Sequence, residues 1–193
     1  MRVLRAAGYR HMPWKNGGGE TAEIAIGPCD ASIEAFEWRI SMARIDSDGP
    51  FSSFPAVDRT LTIIEGAGLH LVVDGRRFDL RDHSKPFSFR GESKTHATRI
   101  GGPVTDLNVM TRRDRFTHRV TRMALDRELV VAHDVSVALL FCARGKIRIE
   151  SARQAEDLSS HDSVLVREPL SLSGDASADA LFIEIYIWQE APA

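Results

Sequence analysis

Lys15, Asn16, Arg39, Ser41, Arg59 and Asn108 carry the most legible chemistry in this chain. A guanidinium presents a planar fork matched to a carboxylate, a lysine is a point cation, and an amide reads either a carbonyl or an N–H. Brought together, these groups suit a small anionic molecule with more than one carboxylate. Taken singly, each is as well explained by a structural salt bridge or a solvated side chain, so the reading rests on convergence. Two further candidates come from the stretch Met12-Pro13-Trp14-Lys15-Asn16-Gly17-Gly18-Gly19-Glu20, which sets an aromatic, a cation and an amide directly before three glycines. Glycines of this kind adopt positive φ and let backbone N–H groups point together at an anion. Trp14 and Gly17 therefore join the candidate site as parts of a loop that positions or covers a ligand; the plainer alternative is a tight turn with Trp14 as a hydrophobic plug. The G-x-x-x-x-G-K-[ST] and G-x-G-x-x-G phosphate signatures are absent.

Other chemistries are thinly represented. Metal-binding barrels use an H-x-H pair with a glutamate and a later histidine, whereas His11, His70, His83, His96, His118, His133 and His161 include no such pair. No metal and no cofactor are expected. No G-x-S-x-G elbow occurs, and neither Cys29 nor Cys142 has an adjacent histidine or a C-x-x-C spacing. A formal net charge of −2 with scattered Lys and Arg gives no footprint for nucleic acid or an anionic membrane. No long apolar segment reads as a signal peptide or a membrane span, so cytoplasm is the expected compartment. The 193 residues, 43% hydrophobic, suffice for one large all-β domain or two small packed ones.

The elements that must position these side chains are short strands. From Phe36 to Ile45, Phe36, Trp38, Ile40 and Met42 share one face and Glu37, Arg39 and Ser41 the other. From Val104 to Met110, Asp106, Asn108 and Met110 alternate with Thr105, Leu107 and Val109. In a half-buried sheet such polar faces are solvent; in a barrel they are lumen. Further strands are expected at 21–26, 60–64, 69–73, 87–89, 129–131, 135–144, 147–150, 164–166, 170–174 and 180–188. Asp74-Gly75 marks a hairpin into 76–80. Residues 157–163 read as a loop, and 122–127 as one helical turn. Glycine-turned hairpins at 71–80 and 141–150 suggest a repeat, which two cup-like barrels in tandem or one elongated sandwich would satisfy.

The motifs Pro13-Trp14-Lys15-Asn16-Gly17-Gly18-Gly19, Trp38-Arg39-Ile40-Ser41-Met42-Ala43, Asp48-Gly49-Pro50-Phe51-Ser52, Phe54-Pro55 with Asp58-Arg59, Gly91-Glu92, and Gly102-Pro103-Val104 with Asp106-Leu107-Asn108-Val109-Met110 and Arg112 occur in this order. This pattern resembles the HutD/Ves family of bicupins over residues 12–113, with the second half matched only by position and strand pattern. Ala22 stands where the family often has arginine, and Ala56 where it usually has glycine. The resemblance implies an all-β bicupin, two cupin-type β-barrels of the jelly-roll kind in one compact chain. It places an N-terminal barrel at 1–115 with the ligand site and a mainly structural barrel at 116–193. It also implies no catalytic metal and an association with histidine utilisation or stress-responsive expression. For the family, N-formyl-L-glutamate has been suggested as a ligand and a regulatory role proposed. Two carboxylates would meet Lys15, Arg39 and Arg59, and a formamide would meet Asn108. The expected partners are a small carboxylate and, as an open option, a second copy in a homodimer. The competing expectation is a metal-independent enzyme, with Glu92 or Asp106 as general base and Arg39 or Lys15 stabilising negative charge.

Overall fold

The computed structural model describes residues 1–14, 17–125, 129–131, 135–175 and 177–187. The candidates Lys15 and Asn16 lie outside these residues. Strands β1 (Arg2–Leu4), β2 (Arg10–Pro13), β3 (Gly19–Gly27), β4 (Trp38–Ile45), β5 (Gly49–Pro50), β6 (Val57–Glu65), β7 (Leu69–Val73), β8 (Arg76–Leu80), β9 (Phe87–Arg90), β10 (Thr95–Arg99) and β11 (Val104–Arg112) make up the first half. The second half contains β12 (Phe116–Ala124), β13 (Leu129–Val131), β14 (Val137–Arg144), β15 (Lys146–Glu150), β16 (Ala155–Ser159), β17 (Ser163–Val166), β18 (Leu170–Gly174) and β19 (Asp179–Ile187).

The chain divides into two compact units, one of Arg10–Thr117 and one of Met1–Tyr9 with His118–Ala193. The first nine residues thus depart from a simple division at 115/116. Their strand β1 pairs with β17, Val3 opposite Val164, and Tyr9 Oη lies 2.7 Å from His161 O and 2.9 Å from Ser163 Oγ.

Each unit is a pair of antiparallel sheets. In the Arg10–Thr117 unit the sheets are β2-β3-β4-β11-β6-β9 and β5-β10-β7-β8; in the other they are β1-β17-β14-β19-β12 and β13-β18-β15-β16. Strands β4 to β11 and β12 to β19 follow the same neighbour order, an eight-stranded jelly roll built twice, which is the bicupin fold. The β2-β3 hairpin and β1 are additions to this plan.

This correspondence corrects the repeat expected from sequence. The hairpin β7-β8, turned by Asp74 (φ 47°) and Gly75 (φ 81°), matches β15-β16, whose register joins Lys146 to Ser159. Residues 141–150 form no hairpin, because Gly145 (φ 78°) carries the chain from one sheet to the other. Residues 66–68 do the same in the first unit, where a Cβ on Gly68 would lie 2.0 Å from Leu80 O. Two further expectations are corrected. Residues 157–159 belong to β16, and residues 122–124 extend β12 as strand rather than starting a helical turn; residue 125 is in no regular element, and 126 and 127 lie outside the described residues.

The interiors differ. In the second unit, β14 supplies Ala138, Leu140 and Cys142, β19 supplies Ala180 and Phe182, and β15, β16 and β18 supply Ile147, Ile149, Leu158, Leu170 and Leu172, making a dense apolar core. In the first unit Ile45, Leu61 and Ile63 pack against Leu69, Leu71 and Ala97, and this core fills only part of the space between the sheets. Strand β11 is buried on both faces from Val104 to Thr111.

Candidate functional site

Three neighbouring strands build the polar wall of a cavity in the Arg10–Thr117 unit. On β11, Met110 lies opposite Arg39 of β4 and Arg59 of β6, Asn108 opposite Ser41 and Leu61, and Asp106 opposite Ala43 and Ile63. Because side chains alternate along a strand, Arg39, Ser41, Arg59, Asp106 and Asn108 share the inner face. Each is nearly sealed from solvent, from 0% exposure at Asp106 to 7% at Arg59. They bound a cavity of about 490 Å³ whose opposite wall is apolar, with Phe51 and Phe54 from the chain after β5 and Trp14 from the end of β2.

The polar groups are joined in a directed chain. Arg59 Nε–H donates to Asn108 Oδ1 at 2.7 Å, and the Asn108 amide N–H donates to Asp106 Oδ1. The Arg59 guanidinium also lies over the Phe51 ring, 4.5 Å from its centroid, and within 5.5 Å of the Phe89 centroid. Arg39 Nε–H donates to Glu23 Oε2 at 2.8 Å across the β3-β4 pairing. Each arginine is therefore held by its Nε, and among the described residues the terminal Nη groups of both carry no hydrogen bond. Asp106 Oδ2 is buried without a hydrogen-bond partner.

Burial perturbs the two strongest charges in opposite directions. Asp106 is pushed up to about 7, chiefly by desolvation; Arg59, the Asn108 hydrogen bond and the Ala43 backbone N–H pull it back only in part. Arg59 is lowered to about 10, first by desolvation, with Asp106 opposing the shift and the nearby Arg39 charge adding to it. Such a wall can hold an oxyanion between guanidinium groups and present one carboxyl able to change protonation near neutrality.

The glycine stretch is the tip of the β2-β3 hairpin. Trp14 N–H donates to Gly19 O at 2.9 Å, and its indole Nε1–H donates to Thr21 Oγ1 at 2.8 Å, which fixes the ring against the cavity. Gly17 (φ 67°) closes the turn, its N–H donating to Trp14 O at 3.0 Å, and it does not itself line the cavity. At Gly19 the demand is close approach, since a Cβ would sit 2.1 Å from Arg44 O on β4.

Of the candidates read from sequence, Trp14, Arg39, Ser41, Arg59 and Asn108 thus meet at one cavity. Glu23 joins the site only through Arg39, and no local signal marks it in the sequence, because the β3-β4 pairing alone brings the two together. Asn108 is not a free amide reader, because its carbonyl already accepts from Arg59. Glu92 is removed as a general base: it lies away from the cavity lining and pairs with both Nη groups of Arg113 at 3.0 Å, which hold its carboxyl below the usual range. Ala22 follows cavity-lining Thr21 and by alternation faces the other side of the sheet, so its departure from the family pattern takes no cation from the cavity. Ala56 occupies a left-handed conformation (φ 59°) where the family pattern has glycine.

Comparison with known proteins bears on the family and the fold. The HutD family model matches residues 6–182. An uncharacterized 21.2 kDa protein of Pseudomonas putida from the region 3′ of hutC is 33% identical over 163 residues, 84% of each chain. Protein Ves of Citrobacter koseri is 43% identical over 116 residues, 58% of this chain and 59% of that protein. The structure of HutD from Pseudomonas fluorescens SBW25, obtained in a formate condition, superimposes with a TM-score of 0.82 at 32% identity, covering 97% of this chain and 99% of that one. At the level of fold alone, the oxalate decarboxylase of Lactobacillus farciminis shares the architecture with a TM-score of 0.64 at 7% identity, covering 95% and 85%.

Proposed function

Given that this chain belongs to the HutD family, we propose that it binds a small carboxylate metabolite in the cavity of the Arg10–Thr117 unit and acts as a sensor or regulator of histidine catabolism. The observation that carries this reading is the pair Arg39 and Arg59, both buried, both pinned by Nε, with their terminal nitrogens left for an anion. Buried guanidinium groups without a full set of partners are costly unless a ligand completes them. N-formyl-L-glutamate is the candidate, since it offers carboxylates to the arginines and an apolar chain to Phe51 and Trp14. Two relatives lend support: one is encoded beside hutC, and one structure was obtained with formate, itself a carboxylate. The dense core of the second unit fits a supporting role for it.

The test is calorimetric titration with N-formyl-L-glutamate, alongside chromatography of the ligand after incubation. Binding with unchanged ligand is expected, and absence of heat together with an unshifted melting temperature would refute the assignment. One observation keeps a second reading in view: a carboxyl poised near pH 7 at Asp106 is what a general base needs. Turnover that disappears in Asp106→Asn would favour that enzyme reading.

A further inference from the structure

Among the described residues, the charges around the cavity can be counted. Facing Asp106 from the elements packed about it are Arg59 on β6, Arg39 on β4 and Glu23 on β3, with neutral Asn108 on its own strand and neutral aromatic and proline residues from the opposite wall. Glu23 neutralises Arg39 at 2.8 Å. If Asp106 is ionised it balances Arg59 through Asn108, and an entering carboxylate adds a surplus negative charge beside buried groups. If Asp106 is protonated, Arg59 is unbalanced, and the one carboxylate group of the ligand that reaches it restores neutrality at that end of the cavity. The geometry distinguishes the two oxygens of Asp106. Oδ1 accepts from the Asn108 amide, whereas Oδ2 is buried without a hydrogen-bond partner and is the oxygen left for a proton, in a residue that lines the cavity.

We propose that Asp106 is the specificity-determining residue of this site and that it works as a carboxylic acid, donating Oδ2–H to an oxygen of the bound ligand, so that one carboxylate and one proton enter the cavity together. The inference rests on the carboxylate-binding reading above and sharpens it: the ligand class is an organic acid whose carboxylate reaches the Arg59 end while an acceptor oxygen lies at Asp106. Asn108 is the positioning residue, because its fixed amide decides which Asp106 oxygen is free. The raised ionisation of Asp106 agrees with the assignment, since an arriving anion raises it further.

The experiment has two arms on the intact chain. Without ligand, unfolding equilibria of wild type and Asp106→Asn are compared from pH 5 to pH 7.5. A carboxyl whose folded value lies above its unfolded value stabilises most at low pH, and that contribution falls as pH rises toward the folded value. The wild-type folding constant is therefore expected to fall relative to the variant by up to about tenfold per pH unit across the window. Parallel profiles would overturn the proposal whatever the ligand proves to be.

With ligand, N-formyl-L-glutamate is titrated at pH 8 in phosphate and in Tris. Buffer-dependent heats are expected to report uptake approaching one proton per site in wild type, none in Asp106→Asn, and little in wild type at pH 5.5. Uptake that survives in the variant, or none in wild type, rejects the inference while leaving carboxylate binding intact. Should N-formyl-L-glutamate not bind, glutarate takes its place. Binding of glutarate with proton uptake then supports the inference and removes only the ligand assignment, and failure of both probes sinks the two together.

Discussion

Arg59→Met separates the two demands placed on the first unit. Lowering the guanidinium from its ordinary 12.5 to about 10 means that folding carries its charge at a cost on the order of 3–4 kcal/mol, at roughly 1.4 kcal/mol per unit. Against this stand the charged hydrogen bond to Asn108 and the stacking on Phe51, together on the order of 2–4 kcal/mol. The opposing contributions nearly cancel and methionine refills most of the volume, but Asn108 Oδ1 loses its donor, so the ligand-free variant should lose about 1–3 kcal/mol. Breaking an ordinary buried ion pair costs about 3–5 kcal/mol. Binding should behave differently, because truncating one side of a buried guanidinium–carboxylate contact costs about 2 kcal/mol or more, roughly thirtyfold in Kd. At a ligand concentration a hundred times the wild-type Kd, stabilisation by ligand should drop from about 2.7 to about 0.9 kcal/mol. Urea denaturation with and without N-formyl-L-glutamate reads both quantities. A ligand-free loss above 3 kcal/mol would show Arg59 to be a structural residue, and an undiminished ligand shift would remove it from the site.

Three other substitutions have definite signs. Ala56→Gly relieves a left-handed alanine, about 1–2 kcal/mol, and returns part of that as unfolded-chain entropy; a net gain of about 0.5–1 kcal/mol and a melting temperature a degree or more higher are expected by scanning calorimetry. Glu23→Gln keeps an acceptor for Arg39 Nε–H but removes its countercharge, so thermal stability should fall while affinity for the carboxylate rises by roughly tenfold; equal or weaker binding by calorimetry contradicts the charge count. Gly19→Ala drives a Cβ into the β4 backbone at Arg44 and crowds the Trp14 ring, so a loss of about 1–3 kcal/mol with altered tryptophan fluorescence is expected; wild-type stability would show that the β3-β4 spacing is slack.

What was legible in the sequence is what local rules govern. Period-two alternation set Arg39 beside Ser41 and Asp106 beside Asn108, and Asp74-Gly75 announced its hairpin, because each signal lies within a few residues. Pairing across the sheet was not legible. Glu23 meets Arg39 only through the β3-β4 register, with a bulge between Glu23 and Ala25, and Arg59 finds Asn108 across 49 residues. The same limit turned an amide reader into a bridge, since nothing near Asn108 in the chain tells that its carbonyl is already occupied. Short or edge strands such as β1, β10 and β16 carry too few alternating positions to stand out from polar loops. Gly145 looked like the turn of a hairpin because a positive-φ glycine serves equally well where a chain steps between sheets.

The two jelly rolls make the strongest argument that the polar wall exists for a ligand. With the same strand order, the second unit fills its interior from β14 and β19 with Ala138, Leu140, Cys142, Ala180 and Phe182. The charge buried on that face, Glu184 of β19 opposite Ala138, is paired with Arg119 at 2.6 Å, so the fold does not require a buried carboxylate left without a partner on the matching inner face of β11. The first unit nevertheless buries Arg59 and Asp106, shifts both ionisations toward the neutral form, and leaves Asp106 Oδ2 without a partner. Each of these lowers the stability of the empty protein. A β11 strand buried on both faces, together with the apolar cluster of Leu61, Ile63, Leu69 and Leu71, supplies a frame stiff enough to hold them in place. Strain retained where a packed alternative exists in the same chain points to an interaction made only when the cavity is filled.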